Sequence, residues 1–223
     1  IALARVTQYV RGYHDNADLL RVGTEILRRS GAARGAGPTV VEAGAGYGAS
    51  TAKLSHFVRR AGGRLFVFDS FRGIPPNDEV HENLDGRRVV FRAGAFRGRE
   101  RAVRRVVEQY GCPEVCTFVK GDFADTLPGF DARCDVGLLD VDLLRSTRAC
   151  VTHLHPRLAP DGVMFSQDGH LKATVELLGD PAFWRDEVGC APPAVEGLGR
   201  SKLLSWRATP HRPRRARQPP EAR

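Results

Sequence analysis

No stretch of about eighteen consecutive apolar residues occurs in the chain, so no membrane-spanning helix is expected. The opening IALARVTQYVRGYHDN lacks an apolar h-region, so no secretory leader is visible either. The first residue is Ile1 and not Met, and a few residues are expected ahead of it. Cysteine is sparse: Cys112, Cys116, Cys134, Cys150 and Cys190 are odd in number and scattered, which excludes a disulfide scaffold and fits a reducing cytoplasm. Cys112 and Cys116 are neighbours, but no second Cys/His pair stands near enough to complete a tetrahedral zinc site. Lysine is scarce too, four against thirty arginines, a bias that reads as a GC-rich coding genome and not as selection for phosphate contacts. No internal repeat is present.

What remains is the composition of one ordinary globular domain: 223 residues, 42% hydrophobic and 27% charged. The formal charge of +8 invites a nucleic-acid reading until its location is considered. Residues 209–223, TPHRPRRARQPPEAR, hold five arginines and one acid, net +4, which is half of the excess. This Pro- and Arg-rich tail has almost nothing to bury and is expected to be disordered and solvated, so nucleic acid is not the expected partner. The folded domain is expected over 1–208.

Leu3, Val6 and Val10, then Leu19, Leu20, Val22, Ile26 and Leu27, recur at spacings of three and four, with Asp15 or Asn16 available as N-cap. The N-terminal 1–38 is therefore expected to be helical, ending in the break GAARGAGP, and is a candidate dimer contact or lid. TVVEAG (39–44) and RLFVFDS (64–70) read as strands around a helix at 50–60. Further strands are expected at 116–122, 134–140, 162–168 and 201–208, and helices near 99–110, 145–157, 170–179 and 181–187. Alternating β and α with strands apolar throughout implies a Rossmann-like α/β fold, a mostly parallel sheet with helices on both faces. Residues 71–98 show no clear period and are expected to form a long loop, a candidate lid. His153 and His155 flank the core-facing Leu154 and are expected at the surface.

In open α/β sheets ligands bind beyond the carboxyl ends of the strands. Those ends carry Glu42 and VVEAGAGYGAS, Asp69-Ser70, Gly121-Asp122-Phe123, Asp140-Val141-Asp142, and Gln167-Asp168-Gly169-His170. Gly44, Gly46 and Gly48 let a turn pass close to a ligand while the next helix aims its N–H groups at it. With Ala49 the stretch also matches a dinucleotide fingerprint. Asp69, at the end of the next strand, stands where a carboxylate accepts from both hydroxyls of an adenosine ribose. Glu42 separates two cofactors: an anion there repels the pyrophosphate of NAD and welcomes the sulfonium and ammonium of S-adenosylmethionine. Asp122 and Phe123 suit an adenine amine and ring, and Asp122 equally suits a helix-capping turn.

The ordered segments EAGAGYGAS, FDSFRGIP, FVKGDFADTLP, LLDVDLLRST and GVMFSQDGH resemble the macrocin O-methyltransferase family, class I enzymes that use S-adenosylmethionine to methylate hydroxyls on sugars and other natural products. The resemblance runs from roughly Thr39 to His170. It implies a seven-stranded sheet with one antiparallel strand, and a hydroxylated small molecule as acceptor. It implies a cofactor held by Glu42, the loop residues Gly44, Ala45, Gly46, Tyr47 and Ser50, then Asp69 with Ser70, Asp122 with Phe123, and Asp140. It also implies a Mg²⁺ site at Asp140, Gln167 and Asp168, where Gln167 replaces a family aspartate with an amide; Mg²⁺ accepts either oxygen. Asp142, ahead of Ser146-Thr147, reads as a helix cap. The base of the methyl transfer is Asp140 or His170. No Asn-Pro-Pro-Tyr base-methylating motif is present.

Overall fold

The computed structural model describes residues 2–30 and 37–209. The basic tail beyond Thr209 and most of the GAARGAGP break lie outside the described residues. Two helices, α1 (Ala2–Tyr9) and α2 (Asn16–Arg28), precede the sheet. Asp15 is the N-cap of α2, its carboxylate accepting from the Ala17 N–H at 2.8 Å. The alternation then runs β1 (Thr39–Ala43), α3 (Ala49–Arg60), β2 (Arg64–Asp69), a hairpin of β3 (His81–Glu82) and β4 (Arg88–Val89), and α4 (Glu100–Tyr110). It continues with β5 (Cys116–Lys120), the single turn α5 (Phe123–Thr126), β6 (Cys134–Leu139), α6 (Leu144–Leu154), β7 (Leu158–Ser166), α7 (Lys172–Gly179) and β8 (Leu204–Arg207).

The main sheet has the order β5-β2-β1-β6-β7-β8, with only β8 antiparallel. Among the described residues it is six-stranded, not seven-stranded as the family resemblance implied. What could have been the further strand is a single bridge, Glu196 to Ser205. Pro192 and Pro193 offer no N–H to a ladder, and Gly197 and Gly199 take left-handed φ of 80° and 71°, so the segment cannot extend that pairing.

Side-chain alternation along β1 sends Val40 to one face and Val41 to the other, and both are fully buried. Val40 joins Val22, Ile26, Leu54 and Val58 from α2 and α3. Val41 joins Leu139, Val151, Leu154, Trp184 and Trp206 on the opposite side. Each layer removes apolar surface from water at roughly 25 cal/mol per Å². His155 is a correction here: it is not at the surface but 3% exposed, its Nδ1 accepting from the Trp206 indole at 3.3 Å and its ring edge-on to Trp184.

The 71–98 segment is more ordered than its lack of period suggested. Ile74 and Gly94–Ala95 close its base through Ile74 N–H to Ala95 O (2.9 Å) and Gly94 N–H to Ile74 O (2.7 Å). Its tip is the short hairpin β3-β4, held to the segment before α7 by the Leu84 N–H on His170 O at 3.0 Å and a bridge from Asn83 to Leu171. Two-residue strands leave no apolar alternation to read in the sequence.

Candidate active site

Strand order reverses at β1, whose neighbours are β2 on one side and β6 on the other. The crevice at such a reversal is where an α/β sheet binds its ligand. The ladder continues one step past the strands, Gly44 N–H to Phe68 O (2.9 Å) and Asp140 N–H to Ala43 O (2.9 Å), so the ends of β1, β2 and β6 are level. Gly44 has φ +92°, and a Cβ on it would lie 2.0 Å from the Asp140 carbonyl oxygen. Its absent side chain therefore makes room for the neighbouring strand's backbone. Gly46, at φ +49°, faces open space, with nothing within 4 Å of an added Cβ. The room for a ligand is above Gly46.

Asp69 holds this loop. Its Oδ2 accepts from the N–H groups of Ala45 (2.7 Å) and Gly46 (3.3 Å), and its Oδ1 from Phe71 (2.6 Å). Burial pushes its carboxyl above the ordinary range, and the three N–H groups oppose that shift. Glu42 lies deeper. It is 0% exposed and does not line the cleft. Its Oε2 accepts from the Thr51 hydroxyl at 2.6 Å, and Oε1 is buried with no hydrogen-bond partner. Burial pushes its carboxyl up to about 7, against the hydroxyls of Ser50 and Thr51, with Asp140 and Asp69 adding to the rise. Glu42 thus supports α3 from beneath the glycine loop.

At the ends of β6 and β7, carboxylate oxygens of Asp140, Asp142 and Asp168 lie within 4.8 Å of one another. Asp168 Oδ2 accepts from the N–H groups of Val141 and Asp142, both at 3.2 Å, which folds the 140–142 turn over it. Asp142 is left-handed at φ 60°, a conformation aspartate tolerates better than most residues. Asp168 Oδ1 is buried without a partner. Burial first, then mutual repulsion, raises the carboxyls of Asp142, to about 7, and Asp168; burial raises Asp140, with Lys202 opposing.

Asp142 is not the cap of α6. That helix starts at Leu144, and its N–H groups at Leu144 (2.7 Å) and Arg145 (3.3 Å) donate to the carboxylate of Glu79, from the 71–98 segment. Gln167 is 1% exposed; its amide nitrogen reaches Asp18 on α2 at 3.4 Å, and its Oε1 is buried without a partner. The family resemblance implied Gln167 beside Asp140 and Asp168; the third carboxylate near those two acids is Asp142.

These groups surround one cleft of about 700 Å³. Gly44, Ala45, Gly46, Tyr47, Ser50, Asp69, Ser70, Asp122, Phe123, Asp140 and His170 all line it; Glu42, Gln167 and Asp168 are buried and do not. Asp122 is the N-cap of α5 without a side-chain capping bond and pairs with Arg72 at 3.6 Å. His170 Nδ1 is buried without a hydrogen-bond partner, and the residue lines the cleft. Burial and Lys202 lower its pKa, with the Gln167 backbone opposing.

The sequence offered the 1–38 and 71–98 segments as candidate lids but did not single out the residues by which they wall the cleft. One is the segment between α1 and α2, where Tyr13 packs edge-on to Phe96 at 5.1 Å and Arg11 lies 4.9 Å from the Tyr13 ring. The other is Ile74, Pro75, Pro76, Phe91 and Phe96 of the 71–98 segment. Lys202, just before β8, also faces the cleft.

Residues 41–169 match the family model described as a methyltransferase domain. The chain belongs to that family. A methyltransferase of Streptomyces olivaceus, 8-demethyl-8-(2,3-dimethoxy-alpha-L-rhamnosyl)-tetracenomycin-C 4'-O-methyltransferase, is 31% identical to this chain over 178 residues, 76% of the chain. The match spans 66% of that relative's length. The fold is shared with the O-methyltransferase NovP (23% identity, TM-score 0.67, 86% of this chain and 79% of that one). It is shared also with the calicheamicin methyltransferase CalS11 (17% identity, TM-score 0.64, 92% and 91%). No helix among the described residues is long and apolar enough to cross a membrane.

Proposed function

We propose that the chain transfers a methyl group from S-adenosylmethionine to a hydroxyl of a small natural product, with a sugar hydroxyl favoured by the 31% identical relative, which is named for methylating a rhamnosyl tetracenomycin. The observation that carries this reading is Gly44 packed against Asp140. It sets the open glycine loop beside the acid trio, so that a methyl donor on the loop and an acceptor on the acids share one cleft. The aromatic and prolyl wall of Tyr13, Phe91, Phe96, Pro75 and Pro76 supplies flat apolar surface for the remainder of the acceptor.

Methyl transfer from a sulfonium needs the acceptor oxygen in line behind the methyl and relieved of its proton. The residues present fit a Mg²⁺ ion: an all-oxygen set from Asp140, Asp142 and Asp168, with the unpartnered Asp168 Oδ1 in need of a cation or proton, and Gln167 Oε1 buried and unpartnered next in sequence. Such an ion, when bound, lowers the pKa of an acceptor hydroxyl. The chain's own part is to hold the acceptor between the two walls, exclude water with the 71–98 segment, and take the hydroxyl proton at His170. In a second reading Asp142, which also lines the cleft, takes that proton.

Rates of methyl transfer to glycosylated acceptors, followed by mass, test the proposal in wild type, His170→Asn and Asp142→Asn. Loss of the alkaline plateau of kcat in His170→Asn supports His170; unchanged activity in Asp140→Ala with excess EDTA removes the metal. Binding of divalent cations without substrate, read by calorimetry, separates the ion from the activity. The homodimer and the 1–208 domain limits belong to the same reading, and sedimentation of the full chain tests them.

A further inference from the structure

Three basic side chains other than histidine line the cleft, and two of them have partners in the protein. Arg11 lies over the rings of Tyr13 and Tyr47, 4.9 and 5.7 Å from their centroids. Arg145 donates to the Pro76 carbonyl at 2.7 Å and faces Glu79 at 3.8 Å. Lys202 differs. Among the described residues its ammonium makes one hydrogen bond, to the Tyr13 carbonyl at 3.3 Å, and no salt bridge. An ammonium has three hydrogens to donate, so donors remain for a ligand in the cleft.

The backbone fixes where that side chain starts. The Gly169 N–H donates to the Lys202 carbonyl at 2.9 Å, and a Cβ on Gly169 would lie 2.3 Å from the Ser201 carbonyl oxygen and 2.7 Å from that of Lys202. The turn that carries Asp168 and His170 is thus packed directly on the segment that carries Lys202, and His170 and Lys202 both line the cleft. The charge acts on groups from several elements. Burial raises the carboxyls of Asp140 and Asp142, and Lys202 opposes both rises; burial lowers the pKa of His170 and of His14, and Lys202 adds to both.

A hydroxyl that loses its proton in this cleft becomes an anion beside Asp140 and Asp142, an unfavourable place for it unless a cation meets it. We propose that Lys202 is a catalytic residue whose ammonium donates to the acceptor oxygen and stabilises the oxyanion formed as the hydroxyl proton passes to the base. The inference rests on the methyl-transfer reading and adds to it the chain's own cation. In that step the base takes the proton, an oxygen lone pair forms the new O–C bond, and the electron pair of the breaking S–C bond stays on sulfur, leaving the thioether of S-adenosylhomocysteine. Lys202 keeps its protons throughout. A fixed donor aimed at charge that develops during the reaction accelerates it without reorganising.

The probe for the test is 4-nitrophenol, a flat phenol that ionises near neutral pH and whose phenolate is yellow, so that its protonation state when bound is read by absorbance. Titrations use the full chain with saturating S-adenosylhomocysteine and excess EDTA. In the wild type the bound phenol is expected to ionise at lower pH than the free one. In Lys202→Met and Lys202→Gln, phenolate binding should weaken roughly tenfold or more, the loss of a hydrogen bond to a charged group. Lys202→Arg should recover part of it, and binding of the un-ionised phenol at low pH should stay unchanged. Because Lys202 also holds the Tyr13 carbonyl, the un-ionised phenol reports any loosening of that wall separately. Equal losses for phenol and phenolate, no phenolate binding or an unshifted ionisation in the wild type, or phenolate binding that requires Mg²⁺ in place of EDTA overturns the inference. Failure of the wild type to bind S-adenosylhomocysteine sinks the methyl-transfer reading itself; normal binding of it, with phenolate held equally by wild type and Lys202→Met, sinks only the role of Lys202.

Discussion

Asp69 Oδ2 accepts the N–H of Ala45 at 2.7 Å, tying the end of β2 to the glycine loop after β1. The carboxylate that the sequence marked for a ribose is thus also the clamp that shapes the loop. Asp69→Asn replaces one acceptor oxygen with a donor facing N–H groups. It is expected to cost about 1–3 kcal/mol of stability and to weaken S-adenosylhomocysteine binding by at least tenfold. Thermal denaturation and calorimetry on the same preparation measure both.

The loop glycines separate by function. Gly44→Ala forces a Cβ to within 2.0 Å of the Asp140 carbonyl, so the variant is expected to misfold or to lose several kcal/mol. Gly46→Ala meets no protein atom and carries only the cost of its positive φ, about 1–2 kcal/mol. It should fold and yet bind the cofactor poorly. A folded Gly44→Ala with intact binding contradicts the assignment.

Glu79 joins the 71–98 wall to α6 by capping its first turn. Glu79→Ala should lower stability by about 0.5–2 kcal/mol. Because the same contact holds Pro75 and Pro76 beside the cleft, KM for the acceptor should rise more than the dissociation constant of S-adenosylhomocysteine. Steady-state kinetics set against calorimetry gives the comparison.

Glu42 makes stability depend on pH. Its folded value, about 7, lies above its ordinary 4.5, so the folded state binds the proton more tightly than the unfolded chain. That contribution is fully present below about pH 4.5 and is lost as pH rises towards 7, on the order of 3 kcal/mol in all. Glu42→Gln cannot ionise, so its stability relative to wild type should increase between those pH values. Denaturant melts at pH 5 and pH 8 are the measurement; a constant difference between the two proteins would refute it.

Much of this site was legible in the sequence because it lies on regular elements. The apolar runs of β1, β2 and β6 located the strands to within a residue or two, and strand ends in a parallel sheet must meet at one edge. Asp69, Asp140 and His170 followed from that rule. Burial was not legible: nothing local distinguishes Glu42, sealed beneath the loop, from Asp69, which faces the cleft. Nor was the turn at Asp142, whose left-handed φ depends on Asp168 accepting from two N–H groups that come from a different strand end. Phe91 and Phe96 come from a segment without a period, and Tyr13 and Lys202 from segments read as helix and strand; only the folded chain brings them to one cleft.

Calorimetry of the full chain with S-adenosylhomocysteine and, separately, with NAD tests the central claim most directly. The account predicts saturable binding of S-adenosylhomocysteine that Gly46→Ala and Asp69→Asn weaken, and no response to NAD. Binding of NAD with no response to S-adenosylhomocysteine would contradict it.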